Sequence, residues 1–271
     1  GFPYRPTSPY GGAESVHDPK TGDCHHWVVM LPESKYWSWP EYWDFPERPM
    51  FNSEYGYGGP CCLASTQAYM GSEHPDLFSK TGEKHTNTFY NIPRVNHSIN
   101  EQYCDPEELS LEEYILLGGL CQGLNLGYSL ESLRANEQTM GGMHWMFNDS
   151  WGENGWSIID YYLRRKISYY NVARCLAPRR LVLRRGGQAF GGDSDEVLLL
   201  LLNELGEQVQ GTVEFGYLSY DGKSRDLESV AFEARVDAKR APVRYYRKQI
   251  HRRVSDDNGA AWQQIGNDFG Q

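Results

Sequence analysis

Two textures meet near residue 178, and that join limits what the chain can fold into. Before it, short apolar runs alternate with longer stretches. Residues 25–30 (HHWVVM) and 49–55 (PMFNSEY) read as strands, separated by an aromatic loop carrying Trp37, Trp39 and Trp43. A third strand is expected at 143–149 (MHWMFND) and a closing helix at 166–176, ahead of Pro178. Such alternation marks parallel βα units. After the join, RLVLR, EVLLLLLN, GTVEFGYL, SVAFEARV and VRYYR follow one another, with turn signals such as Gly186-Gly187 and Asp221-Gly222. That predicts a β-sandwich of about five strands over 179–250 and a polar tail over 251–271.

A long helix is expected between the second and third strands. Asp105 can cap it, Pro106 suits its first turn, and Glu108 stands three residues beyond the cap. Leu109, Leu116, Leu117, Leu120, Leu124, Leu130 and Leu133 supply an apolar face to about residue 135. Gly118 and Gly119 each cost the helix roughly 1 kcal/mol relative to Ala, which implies close packing there. The polar stretch 71–104 reads as excursion loops. A complete eight-fold βα barrel takes about 250 residues. Residues 1–178 are too few, so they form either a smaller open sheet or part of a barrel.

The formal net charge of −10 argues against a nucleic-acid partner. The basic runs 179–185 and 247–253 read as solvated faces. No stretch approaches the roughly 18 apolar residues of a membrane span, and the compartment stays unknown. The first residue is Gly1, so the native start is expected upstream. The six cysteines, at 24, 61, 62, 104, 121 and 175, form no CxxC pair. Cys24-His25-His26 invites a metal reading but lacks a second ligand group at suitable spacing, so neither metal nor cofactor is expected.

The chemistry concentrates at strand ends. His25, His26 and Trp27 belong to the first strand, Asn52, Ser53 and Glu54 to the second, and His144, Trp145, Asn148 and Asp149 to the third. In a βα barrel the C-terminal strand ends converge on one pocket. A carboxylate, histidines and indole faces together suit a sugar ring, with hydroxyls at its edge and C–H groups on its face. Each residue alone is as well explained as a satisfied structural group.

Taken together, FNSEYGYGGP (51–60), MGGMHWMFNDSWGENGWSIIDYY (140–162) and KISYYNVARCLAP (166–178) resemble the C-terminal half of the catalytic barrel in glycoside hydrolase family two, its β-mannosidase branch above all. RPTSPYGG (5–12) and GDCHHW (22–27) are similar to the two strand regions before the nucleophile. Residues 196–222 resemble the immunoglobulin-like sandwich that follows. The resemblance implies a partial (β/α)8 TIM barrel, strands five to eight, over 1–178, then an immunoglobulin-like β-sandwich over 179–250. It implies a retaining exo-β-glycosidase acting on terminal β-linked sugars, β-mannosides first, with Glu54 as nucleophile. His25, Trp27 and Trp145 would line the sugar pocket, with Asn148, Asp149 and Trp151 beside it as substrate contacts or scaffold. The family's acid/base Glu follows an Asn at the end of strand four, and no such pair precedes Glu54. The chain is therefore expected to be a fragment, inactive alone and completed by N-terminal domains of the same polypeptide. The competing readings are a carbohydrate-binding or structural module and a metal-dependent hydrolase.

Overall fold

The computed structural model describes residues 4, 6–11, 15–16, 18–27, 49–89, 91–136, 138–185, 196–205, 207–219, 221–223, 225–234, 240–247, 251–256 and 259–264. The expected strand beyond Trp27, the loop of Trp37, Trp39 and Trp43, and the Gly186-Gly187 turn lie outside these residues. The chain divides into two compact units, Gly1–Leu176 and Ala177–Gln271.

In the first unit, β1 (Asp23–His25), β2 (Phe51–Tyr55) and β3 (Gly141–His144) form a parallel sheet in that order. Parallel neighbours need long crossovers. The one from β2 to β3 carries α1 (Leu63–Met70), α2 (Lys80–Lys84), α3 (Asn91–Gln102) and α4 (Leu111–Ala135), and α5 (Ile167–Cys175) follows β3. Among the described residues no barrel closes. Among its described residues, the 5–12 segment contributes a single antiparallel bridge, Tyr10 to Asp23, instead of a strand. Pro6 and Pro9 have no N–H to give a ladder.

Two expectations for the crossover are corrected. The stretch 71–104 holds helices, because α3 places Val95 and Ile99 fully buried on one face despite Pro93 in its first turn. The long helix starts later than Asp105, which caps only a single 3-10 turn, Pro106–Glu108. A capping box at Ser110 and Glu113 opens α4: Ser110 N–H donates to Glu113 Oε2 (2.9 Å), and Glu113 N–H donates to Ser110 Oγ (3.3 Å). These two reciprocal bonds satisfy backbone groups the helix leaves open.

The buried face of α4 follows the leucine stripe only at its C-terminal end, where Leu130 and Leu133 are buried. Leu116, Leu120 and Leu124 are exposed, while Gly119, Gly123 and Gly127 meet α5. A Cβ at Gly119 would lie 2.8 Å from Ile167 Cβ, and one at Gly127 2.8 Å from Cys175 Sγ. Small residues at i, i+4 and i+8 let the two helices approach along one row. Gly118 is equally confined, by Val95 and Pro60. The close packing expected at Gly118 and Gly119 is present.

Every element described in the second unit is a strand. β4 (Arg179–Arg185), β5 (Glu196–Asn203) and β8 (Arg240–Arg247) form one antiparallel sheet, with β5 central. β6 (Val209–Leu218) and β7 (Arg225–Ala234) pair antiparallel through ten residues each. The polar run after 250 carries an antiparallel hairpin, β9 (His251–Asp256) with β10 (Gly259–Gln264). Val182, Leu202 and Val213 are buried within this unit. Gly222 adopts the left-handed conformation (φ 69°), and its N–H closes the turn on Ser219 C=O at 2.9 Å.

Candidate functional site

The site is built on a slip in register. Asp23 and Cys24 pair with Phe51 and Asn52, but His25 pairs with Glu54. On the other side, Asn52 pairs with Gly142 and Tyr55 with His144. β2 therefore carries one residue more than either neighbour, a bulge at Ser53-Glu54. A bulge turns consecutive side chains to one face and re-aims them. Asn52 and Tyr55 are buried on the helix side with Cys24, whereas Ser53 and Glu54 turn to the face shared by Asp23 and His25. Cys24 and His25 face opposite sides of the sheet, so the Cys24-His25-His26 run does not converge on a metal.

On that face the polar groups are linked. His25 Nδ1 lies 3.2 Å from Glu54 Oε2, the two side chains being 20% and 22% exposed. His25 Nε2 lies 3.3 Å from Ser8 Oγ. The hydroxyls of Ser8 and Ser53 both donate to Asp23 Oδ2, each at 2.7 Å. Glu54 is thus oriented by an imidazole that is itself held from behind. An open cavity of about 640 Å³ lies beside this network, lined by Ser8, Asp23, Phe51, Ser53, Met140 and Met143 among others.

Aromatic residues wall the strand end. Trp145 N–H donates to Tyr55 C=O at 2.6 Å, fixing the β3 end against β2, and its side chain is 46% exposed. A Cβ on Gly56 would fall 2.4 Å from Trp145 O and 2.8 Å from Trp27 Cζ3. Only glycine lets the chain leave Glu54 between the two tryptophans. Trp27 meets Trp156 edge-on, with centroids 4.8 Å apart.

The loop after β3 divides. Asn148 is exposed, and its side-chain amide donates to Asp149 C=O at 3.3 Å. Asp149 is 3% exposed; burial raises its carboxyl above the ordinary range, with Lys166 and Ser157 partly offsetting this. It points into the unit, where a scaffold role fits better than substrate contact. Trp151 is 43% exposed and stacks on His85 at 4.8 Å, which stacks in turn on Tyr69 at 5.1 Å.

Sequence reasoning missed several groups here. Ser8 and Asp23 lie within the 5–12 and 22–27 segments, but their contacts become visible only when the strands align. Glu153 is 2% exposed and accepts from Trp151 Nε1 (2.6 Å) and Asn87 Nδ2 (3.1 Å). Lys166 is fully buried, its ammonium donating to Gly59 C=O (3.0 Å) and Gly155 C=O (3.1 Å). Lys166 follows Arg164 and Arg165 at the N-cap of α5, and nothing in that basic run marks it as the buried one.

Comparison with known proteins places this arrangement. The solved structures it resembles include glycoside hydrolases. The likeness is to β-mannosidases in particular: the crystal structure of β-D-mannosidase from Dictyoglomus thermophilum superposes with a TM-score of 0.76 at 26% identity, over 89% of this chain and 28% of that one. An exo-chitosanase of Amycolatopsis orientalis shares the fold at 16% identity and a TM-score of 0.55, over 83% of this chain and 29% of that one. Among curated proteins, β-mannosidase B of Thermothelomyces thermophilus is 31% identical over 197 residues, 68% of this chain and 22% of that protein. β-Mannosidase B of Aspergillus niger is 28% identical over 249 residues, 86% of this chain and 28% of that protein. No family model matches. The chain is β-mannosidase-like in sequence and fold, and it spans about a quarter of the length of these relatives.

Proposed function

We propose that the chain carries the nucleophile half of a retaining exo-β-glycosidase site for terminal β-mannosides, with Glu54 as the nucleophile. The observation that carries this reading is the bulge in β2, which sets Glu54 beside His25 near the strand's C-terminal end, two residues before Gly56, which packs against the Trp27 ring and the Trp145 carbonyl. With Oε2 engaged by His25, Oε1 is the oxygen left to attack the anomeric carbon. Trp145 and Trp27 then serve as apolar walls for the sugar's C–H faces. Asn148 and Trp151, both exposed after β3, are the further candidates for contact with the sugar.

The three-stranded parallel sheet is read as the last strands of a (β/α)8 barrel, and the second unit as an immunoglobulin-like sandwich. Retaining hydrolysis needs a second carboxyl about 5–5.5 Å from the first, to protonate the leaving oxygen. That group is proposed to come from outside these 271 residues. Alkyl β-mannosides should then be hydrolysed negligibly by the chain alone.

The test uses a substrate that needs no acid. In 2-deoxy-2-fluoro-β-mannosyl fluoride the C1–F bond breaks with its electron pair as Glu54 forms the C1–O ester. Fluoride leaves unprotonated, and the 2-fluorine slows hydrolysis of the ester. Incubation should add one fluoromannosyl group to the peptide containing Glu54, and none in Glu54→Gln. Labelling of another carboxylate would overturn the assignment. Binding of methyl β-mannoside without any labelling would favour a carbohydrate-binding module.

A further inference from the structure

Two segments distant in sequence are cross-linked next to the tryptophan wall. Residues 85–89 follow α2, and residues 151–157 follow β3. Their backbones pair directly: Asn154 N–H donates to His85 C=O (2.7 Å), and Asn87 N–H donates to Asn154 C=O (3.2 Å). At the centre lies the buried carboxylate of Glu153. Its Oε2 accepts from Trp151 Nε1 and its Oε1 from Asn87 Nδ2. Asn87 Oδ1 accepts in turn from Trp156 Nε1, and Trp156 meets Trp27 edge-on. A Cβ on Gly155 would sit 2.8 Å from Glu153 Oε1, so the loop is shaped around this carboxylate.

The hydrogen-bond directions leave no slack. An indole N–H only donates, and a carboxylate accepts at both oxygens. Asn87 must therefore present its NH₂ to Glu153 and its oxygen to Trp156. Glu153 sets one indole directly and a second through one amide, and the second indole braces Trp27.

We propose that Glu153 and Asn87 are positioning residues that hold Trp151 and, through Trp156, Trp27 in place for the sugar. The proposal rests on the glycosidase reading for what Trp27 and Trp151 do, but not for the network that holds them.

The donor and acceptor pattern supplies its own rescue. In Glu153→Gln one oxygen becomes an NH₂ facing the NH₂ of Asn87. Turning Asn87 over only moves the conflict to Trp156. In Asn87→Asp a second carboxylate faces the buried carboxylate of Glu153. The double variant Glu153→Gln/Asn87→Asp satisfies every partner. The new amide at position 153 accepts from Trp151 through its oxygen and donates through its NH₂ to the new carboxylate at position 87. The other oxygen of that carboxylate accepts from Trp156.

The experiment follows the indole N–H resonances of Trp27, Trp151 and Trp156, assigned by single Trp→Phe variants, together with the rate of labelling by 2-deoxy-2-fluoro-β-mannosyl fluoride. Each single variant should shift all three resonances, raise hydrogen exchange at Trp151 and Trp156 tenfold or more, and slow labelling about tenfold. The double variant should return the resonances and bring labelling to within about threefold of the parent, that threefold being the spread expected when a network is rebuilt. An unmoved Trp27 resonance in both single variants, or a double variant no better than they are, overturns the proposal. Absence of labelling in the parent chain would instead count against the glycosidase reading, and the Trp27 resonance would still decide the positioning claim.

Discussion

His25 Nδ1 stands 3.2 Å from Glu54 Oε2, and the same imidazole reaches Ser8 Oγ through Nε2 at 3.3 Å. Ser8 is tied to Asp23. The ring is thus gripped at both nitrogens, and the carboxylate's orientation depends on a chain of contacts that begins on a different segment.

Loss of the grip should be graded. A hydrogen bond to a charged group is worth roughly 1.5–3 kcal/mol, so His25→Ala should slow labelling at Glu54 by roughly 10- to 100-fold. Ser8→Ala leaves the His25–Glu54 contact in place while removing the hydroxyl shared by His25, Asp23 and Ser53, and should cost labelling less, roughly fivefold. Second-order labelling rates check both. Equal rates for the two variants would mean that Ser8 does all the orienting.

Gly56→Ala places a methyl group 2.4 Å from a carbonyl oxygen and 2.8 Å from an indole carbon. Backbone oxygen cannot swing aside, so overpacking should cost roughly 1–3 kcal/mol. Thermal unfolding should show the loss, and the indole resonances of Trp27 and Trp145 should move with it.

Gly119→Ala sets two effects against each other. Helix propensity gains roughly 1 kcal/mol, while the new Cβ meets Ile167 Cβ at 2.8 Å, a β-branched atom fixed to its backbone. Overpacking of roughly 1–3 kcal/mol should win. Net stabilisation in urea unfolding would mean that α4 and α5 can separate without loss.

Asp149 predicts a pH signature. Burial raises its carboxyl in the folded state, so between the ordinary value of about 4 and that raised value the folded chain holds the extra proton. Stability from this group is present at the acid end and falls as pH rises through the window. Asp149→Asn should remove that slope, gaining on the parent with increasing pH above about 4. Burial of His144 acts oppositely, lowering its value and costing stability as pH falls below about 6.5. The difference curve between parent and variant isolates Asp149.

The division into an α/β part and a strand-only part was legible because helices and strands impose different apolar spacings. The position of Glu54 on the second strand was legible from its motif, and the close packing at Gly118 and Gly119 from their cost to a helix. The face of α4 was not, since its packing runs on glycine rows that hydrophobic periodicity ignores, leaving Leu116 and Leu120 outside. α3 was hidden by Pro93, harmless in a first turn. Ser8 reaches Asp23 and His25 across 15 and 17 residues, and Asn87 reaches Glu153 and Trp156 across 66 and 69, and single-chain spacing holds no record of such partners.

The extra residue in β2 makes the aim of Glu54 a matter of counting. Exchanging Ser53 for another side chain leaves the backbone path, and hence the direction of the carboxylate, as it was. Losing the Ser53 codon would restore an even pleat in which the acid alone, without the neighbouring hydroxyl on Asp23, takes the face of Asp23 and His25, so this stretch tolerates spelling changes better than changes in length.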